Sequence, residues 1–324
     1  MSMWRAIFAL GLVWLGIGVA QAQTYPSRTI TLVVPAAPGG VSDVLARAIS
    51  QRLTDAWGQQ VIVENKGGAN HMLGAASVAK AAPDGYTLML SAEATFVVNP
   101  SLYAKAKLPY DAEKDFAPIT GLMRNNQALL AFPGLPVNSV AELIALAKQT
   151  PGELTYGTSG PGSAGHVNMA LFESMAGVKL TPVHYRGMNP ALVDVMAGHT
   201  KLLSVSVSSG VQPYRGGQVK MLGIGSRERL KELPDVPAVA ESVPGYEAVT
   251  WFGLFTTAGT PPEIVMKINA EVRRIFADEA FREKFLAPNL FEPMLGTPEE
   301  FAAFIRADAA KWSKVIRDAN LKVD

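Results

Sequence analysis

The 324-residue sequence contains no cysteine and only four histidines. Without thiols there is no disulfide framework to staple the fold, and no cysteine to carry a lipid anchor. His71, His166, His184 and His199 are scattered with no i, i+4 pair, so a zinc site is not expected either. Charge is sparse and balanced: charged residues make up 18%, with 29 Lys plus Arg against 28 Asp plus Glu. That balance gives no reason to expect a nucleic-acid or membrane-surface partner. Beyond the N-terminal segment there is no long uninterrupted apolar run, so the mature chain is not expected to insert into a bilayer. With 48% hydrophobic residues, disorder is excluded as well.

What is present begins with an export signal. Arg5 supplies a short basic region, residues 6–19 form an uncharged apolar run, and Ala20-Gln21-Ala22 fits the small-x-small cleavage pattern. The run of about 14 residues is too short for a bilayer core that needs roughly 20. Residues 1–22 therefore read as a signal peptide cleaved after Ala22, leaving Gln23 first and the mature protein free in solution. An exported chain without cysteine must hold its fold by burial alone. The roughly 300 remaining residues can bury about three quarters of their unfolded surface and suffice for two domains.

Val-, Ile- and Leu-rich runs alternate with segments of helical periodicity, the pattern of an α/β chain with a largely parallel sheet. Strands are expected at 29–34, 61–63 and 87–90, with helices at 42–57 and 72–82 between them. The alternation resumes with strands at 154–158, 180–185, 202–207 and 219–224. Ser139 with Glu142, Thr260 with Glu263 and Thr297 with Glu300 each have capping-box spacing. Ser42 is placed to cap the first helix; Asn189, Pro190 and Gly198 read as N-cap, N1 and C′ of another. The last two helices follow one another with no strand between them. They are expected to return to the first lobe, making it discontinuous in sequence.

In open α/β sheets ligands bind beyond the carboxyl ends of strands, where helix N-termini favour anions. Three loops occupy such places: Pro35-Ala36-Ala37-Pro38-Gly39-Gly40-Val41-Ser42-Asp43, Gly67-Gly68-Ala69-Asn70, and Ser159-Gly160-Pro161-Gly162-Ser163-Ala164-Gly165. Small side chains and exposed amides suit a carboxylate, although the first loop also reads as an ordinary tight turn. His166 is either a ligand contact or a helix-start packing residue. Arg186 is either a partner for a second carboxylate or a solvated loop cation. Trp251 and Phe252 could stack on a ring or simply pack. A hydrolase nucleophile elbow fails: Ser159 has Pro161 where a glycine belongs, and Ser163 has Pro161 before it. Neither nucleotide-binding glycine motif occurs in these loops. No cofactor, metal or catalytic residue is expected.

The ordered series Pro26-Ser27-Arg28, the P-x-x-P-G-G-x-x-D loop ending at Asp43, Val63-Glu64-Asn65-Lys66-Gly67-Gly68, Ala81-Ala82-Pro83-Asp84-Gly85-Tyr86, Asn99-Pro100-Ser101-Leu102-Tyr103, Leu233-Pro234-Asp235-Val236-Pro237 and Trp251-Phe252-Gly253-Leu254 spans nearly the whole mature chain. On these motifs the sequence resembles the substrate-binding proteins of tripartite tricarboxylate transporters, the Bug family. The resemblance implies a two-lobed periplasmic-binding-protein fold of the type II, Venus-flytrap kind, with two crossover strands near 116–132 and 246–255. It implies lobe 1 at 23–123 and 250–324, lobe 2 at 124–249, a periplasmic location, and a monomer. It further implies capture of a small di- or tricarboxylate, or an aromatic carboxylate, for delivery to large and small membrane subunits. A periplasmic sensor feeding a signalling kinase would use the same site.

The candidate ligand-binding set comprises Ala36, Ala37, Pro38, Gly39, Gly40 and Asp43 of the first loop, Gly68, Ala69 and Asn70 of the second, and Ser91. From the other lobe come Ser159, Gly160, Gly162, Ser163, His166, Tyr185, Arg186 and Ser206. Two departures fall where specificity should lie. Many relatives carry an Asp after the strand at 202–204, where this chain has Val205-Ser206-Val207-Ser208. Ser91-Ala92-Glu93 replaces a common Gly-Ser-Asn. Loss of the Asp removes a partner for an ammonium group, so a dicarboxylate or aromatic carboxylate is expected over an amino acid.

Overall fold

Strand β1, Ile30–Val34, is apolar at every position but Thr31 because it is flanked on both sides by parallel partners and covered on both faces. Its neighbours are β2, Val61–Asn65, and β3, Thr87–Ala92. The connections are helices α1, Val41–Trp57, and α2, Met72–Ala79. A computed structural model describes residues 25–103 and 107–318; the export signal expected over 1–22 lies outside them. Helix α1 buries Leu45, Ala46, Ile49 and Leu53, one stripe at helical spacing. It ends at Gly58, in the left-handed conformation, with the Gly58 N–H returned to the Thr54 carbonyl.

After β3 a helical stretch runs through 94–98 into α3, Asn99–Leu102. Strand β4, Phe116–Ala131, then does two jobs. Its first part, up to Asn126, pairs antiparallel with β9, Val249–Thr257; from Gln127 onward it pairs with β7, Leu202–Ser206, and from Ala128 with β8, Lys220–Ile224. Irregularities between Pro118 and Thr120 and between Gly121 and Met123 bend the strand as bulges do. The first lobe thus carries the order β2-β1-β3-β9-β4. The second carries β4-β7-β5-β6, where β5 is Thr155–Thr158 and β6 is Thr181–His184. The second crossover lies beside the first: Gln127 donates to the Ala248 carbonyl and accepts from Gly225 N, while Ala248 N donates to Gly225.

The second lobe also holds α4, Val140–Gln149, α5, Ala164–Ala176, α6, Met188–Ala197, and α7, Val207–Arg215. Helix α8, Pro262–Ala277, packs on α1 and β4. The short α9, Glu279–Phe281, follows it; β10, Glu292–Pro293, edges β4; and α10, Pro298–Asp318, lies over the 94–98 stretch and β4. The C-terminal helices therefore do return to the first sheet. Ile268, Val272 and Ile275 of α8 join Leu32, Leu45, Ile49 and Leu88 in one core. Phe301, Trp312 and Ile316 of α10 join a second that reaches from Phe96 and Trp251 to Tyr156 and Phe172 of the second lobe. Among the described residues no helix is long and apolar enough to cross a membrane.

Local capping follows the sequence expectation unevenly. Thr297 and Glu300 form the reciprocal box, with bonds of 3.2 and 2.8 Å. Ser139 Oγ accepts from Glu142 N, but the Glu142 carboxylate reaches Asn138 N instead of Ser139. Gly198 ends α6 in the left-handed conformation as expected. Ser42 does not cap α1: the N-cap is Gly40, and Ser42 is buried inside the first turn. Asn189 and Pro190 fall inside the first turn of α6, whose N-cap is Gly187. Thr260 gives its hydroxyl back to the Thr257 carbonyl, leaving Pro261 at the start of α8. Helix α2 stops at Ala79, three residues before the expected end at Ala82.

Candidate functional site

A cleft of about 830 Å³ opens between the two sheets, at the ends of β1, β3 and β7 and against the middle of β4, where that strand changes partners. From the first loop, Ala36, Ala37, Pro38, Gly39 and Gly40 line it. Gly39 has φ +81°, which its lack of a side chain allows; Gly40 has φ −81° and starts α1. Asp43 is in the same loop but does not line the cleft. Its Oδ2 accepts from Gly39 N at 2.9 Å and from Arg47 Nε at 3.1 Å, so it fixes the turn from behind. Burial pushes its carboxyl up, yet the Arg47 bond, the Gly39 amide, Asn65 and the Arg47 charge outweigh burial and hold it below the usual carboxylate range.

The second loop touches the first. A Cβ on Gly67 would lie 3.0 Å from Ala37 N and 3.1 Å from Ala36 C, so only glycine lets the two backbones approach this closely. Gly68, Ala69 and Asn70 line the cleft, as does His71. Ala69, Asn70 and His71 all have positive φ, at 46°, 46° and 74°, a left-handed run that costs roughly 1–2 kcal/mol per residue. Asn70 is held by reciprocal amide bonds with Asn99, each 2.7 Å, and donates across the cleft to the Gly162 carbonyl at 3.1 Å. His71 Nδ1 is buried without a hydrogen-bond partner, and burial pushes the imidazole down to about 4.

From the second lobe, Ser159, Ser163, Arg186 and Ser206 line the cleft. Ser163 is the N-cap of α5 but does not spend its hydroxyl on the helix; Oγ is buried with no partner, facing a helix N-terminus that favours an anion. Arg186 is the one cationic side chain among the described residues lining the cleft, and it forms no ion pair or hydrogen bond there. Ser206 Oγ donates to Asn125 Oδ1 at 2.7 Å and lies 2.6 Å from Ser208 Oγ.

The remaining candidates stand behind the wall. Ser91 is buried and bonds Thr95 at 2.8 Å. Gly160 and Gly162 shape the third loop with positive φ, and Gly162 N donates to His166 Nδ1 at 3.0 Å. His166 is thus a packing and loop-fixing residue, edge-on to His184 at 5.3 Å, and burial together with His184 pushes it down to about 4. Tyr185 gives its hydroxyl to Asp194 at 2.6 Å; burial first, and then Asp194, push its phenol up to about 12. Trp251 packs among Phe96, Phe301 and Phe304, whereas Phe252 reaches the cleft.

Residues not expected from the loops complete the inner wall: Glu93, Asn125, Gln127 and Thr250. Gln127 Nε2 donates to Thr250 Oγ1 and to the Asn125 carbonyl, so the two crossovers are tied by side chains as well as backbone. Glu93 is 5% exposed. Burial, aided by the Asp308 charge and opposed by the Glu93 and Trp251 backbone N–H groups, pushes its carboxyl up from 4.5 to about 8. Because the folded value lies above the unfolded one, its stability contribution is complete below 4.5 and is lost as pH rises through about 8. Chemical denaturation of the protein and of Glu93→Gln across that window should show the protein losing stability relative to the variant as pH rises. A constant difference would contradict the buried, uncompensated carboxyl. Among the described residues no three His, Asp or Glu side chains gather in a metal-holding cluster.

Two sheets joined by two adjacent crossovers, with opposed loops and helix N-termini facing one cleft, define a two-lobed solute receptor of the periplasmic-binding type. Residues 45–321 match the family profile described as tripartite tricarboxylate transporter family receptor, and the chain belongs to that family. It is 32% identical to Protein BugT of Bordetella pertussis over 100% of both chains. Among solved structures it is similar to R. palustris Rpa4515 with adipate, at 35% identity and TM-score 0.86, covering 92% of this chain and 99% of that one. It is also similar to MatC (Rpa3494) from Rhodopseudomonas palustris with bound malate, at 32% identity and TM-score 0.82, covering 90% and 100%. The flytrap fold and the family expected from the sequence both hold. These relatives are ligand-binding receptors, not enzymes.

Proposed function

We propose that the chain is an exported, monomeric receptor of the periplasm that captures a small carboxylate between its lobes and delivers it to the large and small membrane subunits of a tripartite transporter. The observation that carries this reading is the cleft itself. Ala36 to Gly40 and Gly68 to Asn70 offer backbone groups from one lobe, while Ser163 and Arg186 stand free of protein partners on the other. Such a constellation grips an anion from both sides, and its volume is within the roughly 300–1,000 Å³ of small-molecule sites.

Adipate and malate in the similar receptors support a dicarboxylate as the ligand class. The division into 23–123 with 250–324, and 124–249, is supported by the switch of β4 from β9 to β7 at Asn126 and Gln127. The hinge is then the pair of crossovers. A ligand touching both lobes only in the closed shape shifts the population toward it, and the closed surface is what the membrane subunits recognise. No bond in the ligand is made or broken.

A thermal-shift screen of the mature protein against mono-, di-, tri- and aromatic carboxylates, adipate and malate included, tests the reading. Saturable stabilisation is expected, reaching about 2.7 kcal/mol at one hundred times the dissociation constant. No shift with any acid, or chemical conversion of the one that binds, would refute it.

A further inference from the structure

Glu93 is the one acidic side chain among the described residues that line the cleft. It follows β3 directly and precedes the helical stretch 94–98, which places it on the inner wall beside β9, the second crossover strand. A buried carboxyl ordinarily answers a cation, and among the described residues none pairs with it. Its own backbone N–H and, from β9, the Trp251 backbone N–H at 3.3 Å to Oε2 donate to it. From α10 the group near it is a second carboxyl, Asp308, itself bonded by Trp251 Nε1 at 2.7 Å. The other polar residues of the inner wall, Asn125, Gln127, Thr250 and Ser206, are neutral. Arg186, across the cleft, makes no bond to it.

An ionised carboxylate so placed would be desolvated without compensation and would repel an incoming acid. A neutral one carries an O–H donor and can accept as well. Burial does hold this group protonated past neutrality, at about 8.

We propose that Glu93 is a specificity-determining residue that meets the captured ligand as a carboxylic acid, donating its O–H to an oxygen of a dicarboxylate. The inference rests on the carboxylate-receptor reading and adds to it a proton requirement. No covalent bond changes; the proton stays on Glu93 while the ligand is held. A ligand ammonium is met better by the ionised form, so the neutral acid disfavours amino acids.

Affinity falls as pH rises through the Glu93 midpoint, about tenfold per unit above it. The test is calorimetric titration of the mature protein with adipate, malate and glutamate between pH 5.5 and 9, repeated with Glu93→Gln and Glu93→Ala. Expected are a steep loss of adipate or malate binding at the alkaline end, a flat profile for Glu93→Gln with tighter binding than the parent at pH 9, and weak binding by Glu93→Ala throughout. A flat profile in the parent, Glu93→Gln as weak as Glu93→Ala at every pH, or glutamate binding that strengthens with pH would each overturn the role of Glu93 while leaving the receptor reading intact. No binding of adipate or malate by the parent at any pH, while another acid of the thermal-shift screen binds, would overturn this inference alone; no binding of any acid in that screen would sink the receptor reading and this inference with it. Independently of ligand, the Glu93 carboxyl ¹³C resonance, assigned by its loss in Glu93→Gln, titrates above neutrality; a midpoint in the ordinary carboxylate range overturns the inference.

Discussion

Gly40→Trp leaves the protein folded and removes its ligand binding. Gly40 has φ −81° and ψ 173°, extended backbone that any residue adopts, and a Cβ there would meet nothing closer than the Ala37 carbonyl oxygen at 3.8 Å. Its carbonyl still accepts from Val44 N, so α1 starts as before. The indole has only the cleft to occupy, and an aromatic of that size covers on the order of 200 Å². A rise of at least ~100-fold in the dissociation constant for whichever dicarboxylate binds, about 2.7 kcal/mol, is expected in calorimetry. The melting temperature stays near that of the parent. Gly39→Trp is the contrasting variant: with φ +81° it adds backbone strain of roughly 1–2 kcal/mol and lowers the melting temperature too. Unchanged affinity in Gly40→Trp would mean that the first loop is merely a turn.

The second large effect belongs to Trp251. It is 2% exposed, packs edge-on against Phe301 and Phe304 at 5.5 and 5.7 Å, and lies in β9 beside the hinge. Trp251→Ala loses roughly 3–5 kcal/mol of packing. It also strands Asp308, whose carboxyl burial already pushes up and which depends on the Nε1 donor, for about 1–3 kcal/mol more. Trp251→Phe keeps most of the packing and loses the donor, so the gap between the two variants in urea denaturation separates the contributions. A cost under ~1 kcal/mol for the alanine variant would contradict the packing described, given the penalty for emptying a core site of that size.

Much of the architecture was legible because it is local. The alternation of strand and helix, the Gly198 terminus and the Thr297 box each depend on a handful of consecutive residues. So do the three loops at strand ends, which supply ten of the candidate residues that line the cleft; Arg186 and Ser206 are two more. What escaped is what distant segments decide. Ser42, Asn189 and Thr260 have the right chemistry to cap, but tertiary packing started α1 and α6 one to two residues earlier and turned Thr260 inward. Helix α7, which contains Gly210 and Pro213, was not among the expected helices. Asn125, Gln127 and Thr250 join the cleft only because two strands 123 residues apart in sequence lie side by side there. Glu93 left a trace, the unusual Ser91-Ala92-Glu93 after the third strand, but its burial without a cation could not be read from neighbours in sequence. Asp43, His166 and Tyr185 lie outside the cleft lining, with polar atoms engaged by Gly39 and Arg47, by Gly162, and by Asp194 respectively.

The bond from Asn70 to the Gly162 carbonyl has a consequence for release. Three side-chain-bearing residues wound the unfavourable way, from Ala69 to His71, form a small spring under tension, and Asn99 and Gly162 are its two catches. Parting the lobes unhooks the Gly162 catch while the Asn99 catch holds. Asn70 thus ties the backbone geometry of the second loop to the spacing between the lobes.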